Sequence, residues 1–305
     1  MEEYSFIYGE EEEDASDLRL DQCDASLVPD VSRSFVKKMI LEGNISLNGE
    51  RCVKPSRTVS PGDSLLVRLE ASVAPDILPE DIPLDILYED DDVLVVNKPA
   101  GMVVHPAPGH YTGTLVNACM HHCGSSLSGI NGILRPGVVH RIDMDTTGSV
   151  VICKNDRAHR GLAKQFAEHT VKRRYDAVVI GHLKERSGTV DTFIGRGNKD
   201  RKRMAVLEYG GKRAVTHYET VLEVKGYSRV SCVLETGRTH QIRVHMSYLG
   251  HPVLGDRLYG GVQPGIPEGR LYLHAGLLGF IQPVTGEYIE TVAPLPEYFS
   301  EILFS

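Results

Sequence analysis

The stretch from Gly137 to Lys154 constrains the fold more than any other part of the chain. Val138-Val139 and Val150-Val151-Ile152 are β-branched runs on either side of a polar tip of Asp, Thr and Gly, a pattern that predicts two strands joined by a tight connection. Asp143 sits in the tip. Asp and Gly are ordinary turn formers, so taken alone Asp143 reads as a residue bonding its own backbone in a loop. A bare turn does not call for His140 and Arg141 on the strand that feeds it, because a cationic side chain interrupting an apolar strand has a desolvation cost unless its charge is used. The stretch therefore reads as a site carried on a hairpin.

Charge is distributed very unevenly. The net charge of -8 argues on its face against a nucleic-acid partner. Residues 1–17, however, carry eight acids and no Lys or Arg, and residues 76–92 carry eight more without a base. Between Asn131 and His245 there are 22 Lys and Arg against 12 Asp and Glu, a local excess of +10. An excess of that kind around the candidate site is the footprint of a surface that tracks phosphates. No apolar run approaches the roughly 20 residues needed to span a bilayer, and the acidic start lacks the basic and apolar regions of a signal peptide. The six cysteines have no framework spacing, which suits a reducing compartment. A cytoplasmic protein is expected, and nothing in the pattern calls for an obligate protein partner.

Length allows one large domain and a small one. Residues 1–17 are expected to form an acidic disordered tail, and a compact unit is expected over 18–70. In it Ser32 is placed to cap a helix with Phe35, Val36, Met39 and Ile40 on its apolar face, ending at Gly43. Asn48-Gly49 between two short apolar runs predicts a hairpin, and Ser64 to Leu69 a closing strand. Pro75, Pro79 and Pro83 among acids predict a semi-rigid linker over 71–83. Beyond it, over 84–305, strands are expected at Leu84–Tyr88, Val93–Asn97, Arg174–Ile180, 189–194, 213–224, 227–235 and Leu271–Phe280. Helices are expected at Thr114–Cys123, from Asp156 as cap to His169, and before Gly250. Strands outnumber helices and many are hairpin-linked, so the class is α+β with a mixed, largely antiparallel sheet.

Two resemblances follow from these residues. His140-Arg141-Ile142-Asp143, followed by Asp145-Thr146-Thr147-Gly148, resembles the signature of the pseudouridine synthases acting on ribosomal and transfer RNA, in their large-subunit branch, and the likeness runs from about Leu84 to the C-terminus. The unit at 18–70 resembles the S4 RNA-binding module, a small α/β domain, through Arg19-Leu20-Asp21, Ser32-Arg33, Glu42-Gly43, Asn48-Gly49, Lys54-Pro55 and Pro61-Gly62-Asp63. Cys23-Asp24 departs from that module, standing where apolar residues are usual. In the larger domain Ile142 stands for Leu, Thr147 for Ser, and Ser149 for an apolar residue.

The first resemblance implies a reaction that breaks the bond from ribose to N1 of uridine, turns the base and rejoins it through C5. Asp143 would be the catalytic carboxylate, starting by covalent attack or by removing a ribose proton; the sequence leaves both open. Arg243, in the run Glu235 to His245, matches the residue that meets this carboxylate, and its guanidinium could hold both oxygens in a fork. Tyr175, in Lys172 to Gly181, matches the residue that stacks on the target base, and its hydroxyl is a candidate for moving the C5 proton, although a phenol with a pKa of about 10 is a poor base. Leu273 would pack on the other side of the base. The base must leave the helix stack first, and Arg141, beside His140, would fill the vacated place. Arg238 is expected to meet phosphate. Backbone grip is assigned to Arg196, Lys199, Arg201, Lys202 and Arg203, and to Arg33, Lys37 and Lys38 on the small domain's helix. The partner implied is ribosomal RNA, with transfer RNA as the second possibility, and no cofactor or metal is required. The rival from another class is a non-catalytic RNA-binding or ribosome-assembly factor. A Mg²⁺-dependent phosphatase, from Asp143-x-Asp145, fits less well because His140-Arg141 interrupts the strand. Zinc at Cys119-Met-His-His-Cys123 is disfavoured because ligands crowded on two helical turns cannot converge on one ion.

Overall fold

A computed structural model describes residues 2–9, 16–22, 33–69, 77–107, 109–124, 126–130, 132, 135–197 and 203–304. Ser32, Cys23-Asp24, Lys199, Arg201 and Lys202 lie outside the described residues. The chain divides into two compact units, Met1–Ala74 and Pro75–Ser305.

The first unit contains β1 (Glu2–Ile7), β2 (Leu18–Arg19), α1 (Arg33–Glu42), β3 (Ile45–Leu47), β4 (Glu50–Cys52), β5 (Thr58–Val59) and β6 (Ser64–Leu69). Strand β1 corrects the expected disordered tail. It runs antiparallel to β6 with Tyr4 opposite Val67 and Phe6 opposite Leu65. Tyr4 and Phe6 pack against a core that holds Tyr8, Val36, Met39, Ile40, Leu65 and Val67. The acids at 10–14 masked this alternation, in which every second residue is aromatic. Asn48 and Gly49 both adopt positive φ, 51° and 79°, as the two-residue turn between β3 and β4 requires. Lys37 is exposed on α1.

The second unit begins earlier than expected. Ile77 is buried, the Asn117 side chain donates to the Leu78 carbonyl at 2.8 Å, and the Glu80 carboxylate accepts from the Gly113 N–H at 3.0 Å. Residues 77–83 are thus part of this unit rather than a free linker. Its strands are β7 (Ile86–Glu89), β8 (Val93–Lys98), β9 (Thr147–Cys153), β10 (Lys172–Ile180), β11 (Ser187–Arg196), β12 (Met204–Leu207), β13 (Lys212–Val224), β14 (Tyr227–Leu234), β15 (Leu273–Ile281) and β16 (Tyr288–Val292). Its helices are α2 (Leu115–Cys123), α3 (Asp156–Ala167), α4 (Gln241–Tyr248) and α5 (Glu297–Phe304). Among the described residues these ten strands form one sheet in the order β12-β11-β13-β14-β10-β15-β9-β8-β7, with β16 on β15. The β15–β9 pair is parallel and the other pairs antiparallel, which is the mixed α+β sheet expected. No helix among the described residues is long and apolar enough to cross a membrane.

Helices cover both faces of the sheet, which explains the unbroken apolar runs in its central strands. Leu94, Val96, Val150 and Ile152 face α2, while Val93, Val95, Val151 and Cys153 face Ala158 and Leu162 of α3. Further along, Val230 and Cys232 pack on Ile242 and Met246 of α4, and Val178 packs in a cluster with Phe299 and Leu303 of α5. Asn155 rather than Asp156 caps α3, its side chain accepting from the Ala158 N–H.

The expected central hairpin has only one full arm. Val138 makes a single bridge to Ile152 and the chain then leaves the sheet as a loop over 139–146. The reason is His140, whose Nε2 accepts the Val151 N–H at 3.0 Å and so occupies the place of a strand partner. The loop re-enters the sheet at Gly148, which has φ 108° and lies against the Ala275 backbone; an added β-carbon would collide with the Ala275 carbonyl oxygen. Gly148→Ala should therefore cost about 2–5 kcal/mol from backbone strain and overpacking together. Urea denaturation measures this, and a loss below about 0.5 kcal/mol would show that the β9–β15 approach is not tight.

Candidate active site

Two anchors hold the loop that carries Asp143. At the end of β8 the Lys98 side chain is fully buried, and its Nζ donates to the carbonyls of Pro99, Met102 and Met144 at 2.7, 2.8 and 2.8 Å. Burial pushes its pKa down to about 7, against the pull of Asp145 and Asp143. The second anchor is Arg243, in the first turn of α4. Its Nη1 donates to Asp143 Oδ2 at 2.9 Å.

The guanidinium fork expected on Asp143 goes elsewhere. Arg243 Nε and Nη2 reach the two oxygens of Asp256 at 2.7 and 2.9 Å, and Asp143 is met by Nη1 alone. Asp256 is fully buried, and its Oδ1 also accepts the N–H groups of Leu258 and Tyr259, each at 3.1 Å. Burial opposes the charge on Arg243, but its bonds to Asp256 and Asp143 outweigh that and hold its pKa above the usual arginine value. The Tyr259 ring lies 5.2 Å from the guanidinium carbon. Sequence reasoning missed Asp256 and Tyr259; their signal was Gly255-Asp256 followed at three residues by an aromatic, too common to single out.

Asp143 opens on a cleft of about 530 Å³ that Arg141, Tyr175, Arg238, Arg243 and Leu273 also line. Tyr175 stands where β10 slips register against β15, between the pairs Arg174–Leu277 and Asp176–His274; such bulges re-aim side chains near sites. Burial raises the Tyr175 pKa and the nearby Asp143 adds to it, with Arg173 opposing. The shift keeps the hydroxyl protonated, the opposite direction from the one that would favour a phenolate base. Leu273 is 4% exposed and Arg141 is exposed at the cleft edge. Arg238 lines the cleft while its Nε donates to the Arg213 carbonyl at 2.9 Å.

His140 belongs to the frame. Its ring stacks on Phe166 at 4.6 Å and bonds the Val151 N–H, so Nε2 is an acceptor and the imidazole is neutral; burial first, then Arg173, drives its pKa down to about 3. The same ring also lines the cleft beside Asp143. Arg173 was missed: it is buried on the cleft wall beside the Phe166 ring, and its Nε has no hydrogen-bond partner among the described residues. Arg196 and Arg203 flank the β11–β12 connection, Arg203 lining a separate hollow with Met204, Tyr248 and Tyr259. Arg33, Lys37 and Lys38 belong to the other unit.

Two outcomes are expected. Asp256→Ala leaves a buried guanidinium with one carboxylate instead of two and should cost about 3 kcal/mol or more in urea denaturation; a loss under about 1 kcal/mol would mean that Asp143 alone satisfies Arg243. The second concerns acid. The folded pKa values of His140, His105 and His245, about 3, 4 and 4, lie below the unfolded value of about 6.5. The unfolded chain then binds more protons, and stability is full above about pH 6.5 and lost as pH falls towards these folded values. Thermal midpoints should drop steadily from pH 7 to pH 4.5, and His140→Gln, which keeps an acceptor for Val151, should flatten the slope. An unchanged slope would contradict the neutral state of His140.

Comparison with known proteins agrees with this arrangement. A family model described as "RNA pseudouridylate synthase" matches residues 92–248, and one described as "S4 domain" matches residues 18–65. "Uncharacterized RNA pseudouridine synthase YlyB" of Bacillus subtilis (strain 168) is 51% identical over 291 residues, covering 95% of each chain. "Ribosomal large subunit pseudouridine synthase D" of Escherichia coli O157:H7 is 41% identical over 298 residues, covering 93% of this chain and 89% of its own. Among solved structures, "Human RNA Pseudouridylate Synthase Domain Containing 1" superposes with TM-score 0.57 at 29% identity over 70% of this chain and 84% of that one. The small unit with its Asn-Gly hairpin falls in the S4 match and the mixed sheet carries the synthase match, and the chain belongs to the RNA pseudouridine synthase family, with an S4 domain ahead of the synthase domain.

Proposed function

We propose that this enzyme isomerises specific uridines in large-subunit ribosomal RNA, with Asp143 as the reacting carboxylate. The observation that carries the proposal is the asymmetry of Asp143: Oδ2 is taken by Arg243, while Oδ1 makes no hydrogen bond among the described residues, and the group lines the cleft with Tyr175 and Leu273. Oδ1 is therefore the oxygen available to the ribose, by attack at C1′ or by taking a ribose proton. Arg243 keeps a cation at the carboxylate in a site that is only partly wet, where the charge–charge attraction is stronger than in bulk water.

Tyr175 and Leu273 would hold the detached uracil between an aromatic face and an aliphatic one while it turns, so that the base neither escapes nor admits water to the sugar. With its pKa raised, Tyr175 serves as a stacking surface. Arg141, exposed at the rim, suits the place left by the flipped nucleotide. Arg238 and Arg173 offer guanidinium groups to flanking phosphates, and the β11–β12 connection with Arg196, Lys199, Arg201, Lys202 and Arg203 extends the basic track. Arg33, Lys37 and Lys38 would add a grip through the S4 domain. The name of the Escherichia coli relative supports ribosomal RNA as substrate, and a ribosomal RNA substrate fits a cytoplasmic location.

Pseudouridine mapping of total RNA from cells lacking the protein, rescued with wild type or with Asp143→Asn, tests this. Loss of one or a few sites in large-subunit RNA, restored by wild type alone, is the expected result, with the variant's rate reduced by about 10³-fold or more in vitro. Restoration of every site by Asp143→Asn would remove Asp143 from the chemistry. Loss confined to transfer RNA would overturn the substrate.

A further inference from the structure

His240 adopts a backbone conformation that is uncommon for residues with a β-carbon. It stands immediately before α4 with φ 56° and ψ 23°, and its side chain makes no capping bond to the helix. A residue with a β-carbon gives up roughly 1–2 kcal/mol in this left-handed region. Such strain persists where the surroundings fix the residue, and it clusters at functional positions.

The ring is fixed by a chain of hydrogen bonds with a definite direction. The Met204 N–H donates to the Tyr259 hydroxyl oxygen at 3.1 Å, and that hydroxyl lies 2.8 Å from His240 Nδ1. A phenol has one proton to give, Met204 N–H cannot take it, and of these two neighbours only Nδ1 can accept it, which favours the Nε2–H tautomer. A neutral imidazole then carries its own proton on Nε2. Burial favours that neutral form, lowering the His240 pKa against the pull of Asp143. Nε2 lies 3.8 Å from Asp143 Oδ1, the oxygen that Arg243 leaves free. Tyr259 is itself pinned, its N–H bonded to Asp256 Oδ1 and its ring against Arg243. Met204 opens β12, directly after the basic connection.

We propose that His240 is a positioning residue for the Asp143 carboxylate: held as the Nε2–H tautomer by the chain Met204 N–H to Tyr259 O–H to Nδ1, it fixes the rotation of the carboxylate so that Oδ1 addresses the cleft. This rests on Asp143 as the reacting carboxylate. It also ties the rotation of that group to the first residue of β12. The plain alternative is that His240 and Tyr259 merely pack.

The test uses the full-length protein as wild type, Tyr259→Phe, His240→Asn and the double variant. Asn tolerates left-handed backbone, and Tyr259→Phe keeps the ring on Arg243, so the fold is spared. Single-turnover rates and RNA Kd are measured on a large-subunit RNA transcript, and long-range ¹H–¹⁵N spectra of histidine-labelled protein report the tautomer. Each single variant should lower the rate about 10- to 100-fold, the scale of a misplaced reacting group, with Kd within about 2-fold of wild type. The double variant should be no slower than the slower single, as for groups acting as one unit. The His240 spectrum should show a proton on Nε2 and none on Nδ1, altered in Tyr259→Phe. A wild-type rate in either single variant, losses that multiply, a parallel loss of RNA affinity, or a proton on Nδ1 would each overturn the proposal. If the wild-type protein forms no pseudouridine in any RNA, the reading of the site fails instead, and the tautomer alone decides the relay.

Discussion

The buried guanidinium of Arg243 joins three segments that are far apart in sequence: the loop with Asp143, the start of α4, and the turn at Asp256. A single cation between two carboxylates leaves a net negative charge in a poorly solvated place, which is unfavourable unless each oxygen is otherwise satisfied. Asp256 is satisfied by backbone N–H groups as well as by the fork. Asp143 is not, and that inequality separates a fully bonded carboxylate from one with an oxygen open to the cleft. The strong fork spent on Asp256 immobilises the cation, and the single remaining bond then orients Asp143 without using up its second oxygen.

Much of the surrounding sheet serves this junction. Gln241, next to Arg243 in α4, is fully engaged, accepting from Thr236 and from the Arg238 N–H and donating to Val215 and Thr216. It seals the start of α4 against β13 and so fixes where Arg243 emerges. On the opposite wall the β10 bulge turns Tyr175 towards the cleft, and the parallel contact of β9 with β15 brings Leu273 and the Asp143 loop to the same end of the sheet. The cleft is thus a consequence of strand pairing, with its lining groups on loops and strand irregularities that a rigid sheet holds still.

How much of this was legible in the sequence depended on whether the signal was local. Asn48-Gly49 predicts its hairpin because the turn chemistry is complete in two residues. The β-branched apolar runs of β8, β9 and β10 identify strands, and Asp143, Tyr175, Leu273 and Arg243 were identifiable from their motifs. The first arm of the central hairpin was misread because Val138-Val139 carries a strand pattern while a side chain, His140, takes the hydrogen bond that a partner strand would have taken. Strand β1 was hidden because its aromatic alternation adjoins an acidic run that dominates local composition. Asp256 was invisible for a different reason. Its role is defined by a guanidinium 13 residues away, and no local pattern distinguishes a buried Asp in a Gly-flanked turn from a surface one.

The three carbonyls gathered around Lys98 impose a counting rule. An ammonium has three protons and each carbonyl takes one, so the set is complete only in the charged form, whereas a neutral amine could serve two. With the group brought down to about 7 by burial, loss of one proton leaves one carbonyl of the set, Pro99, Met102 or Met144, without its donor. The Asp143 loop is therefore fastened through a proton inventory at Lys98, each of three carbonyls holding one proton of a single ammonium.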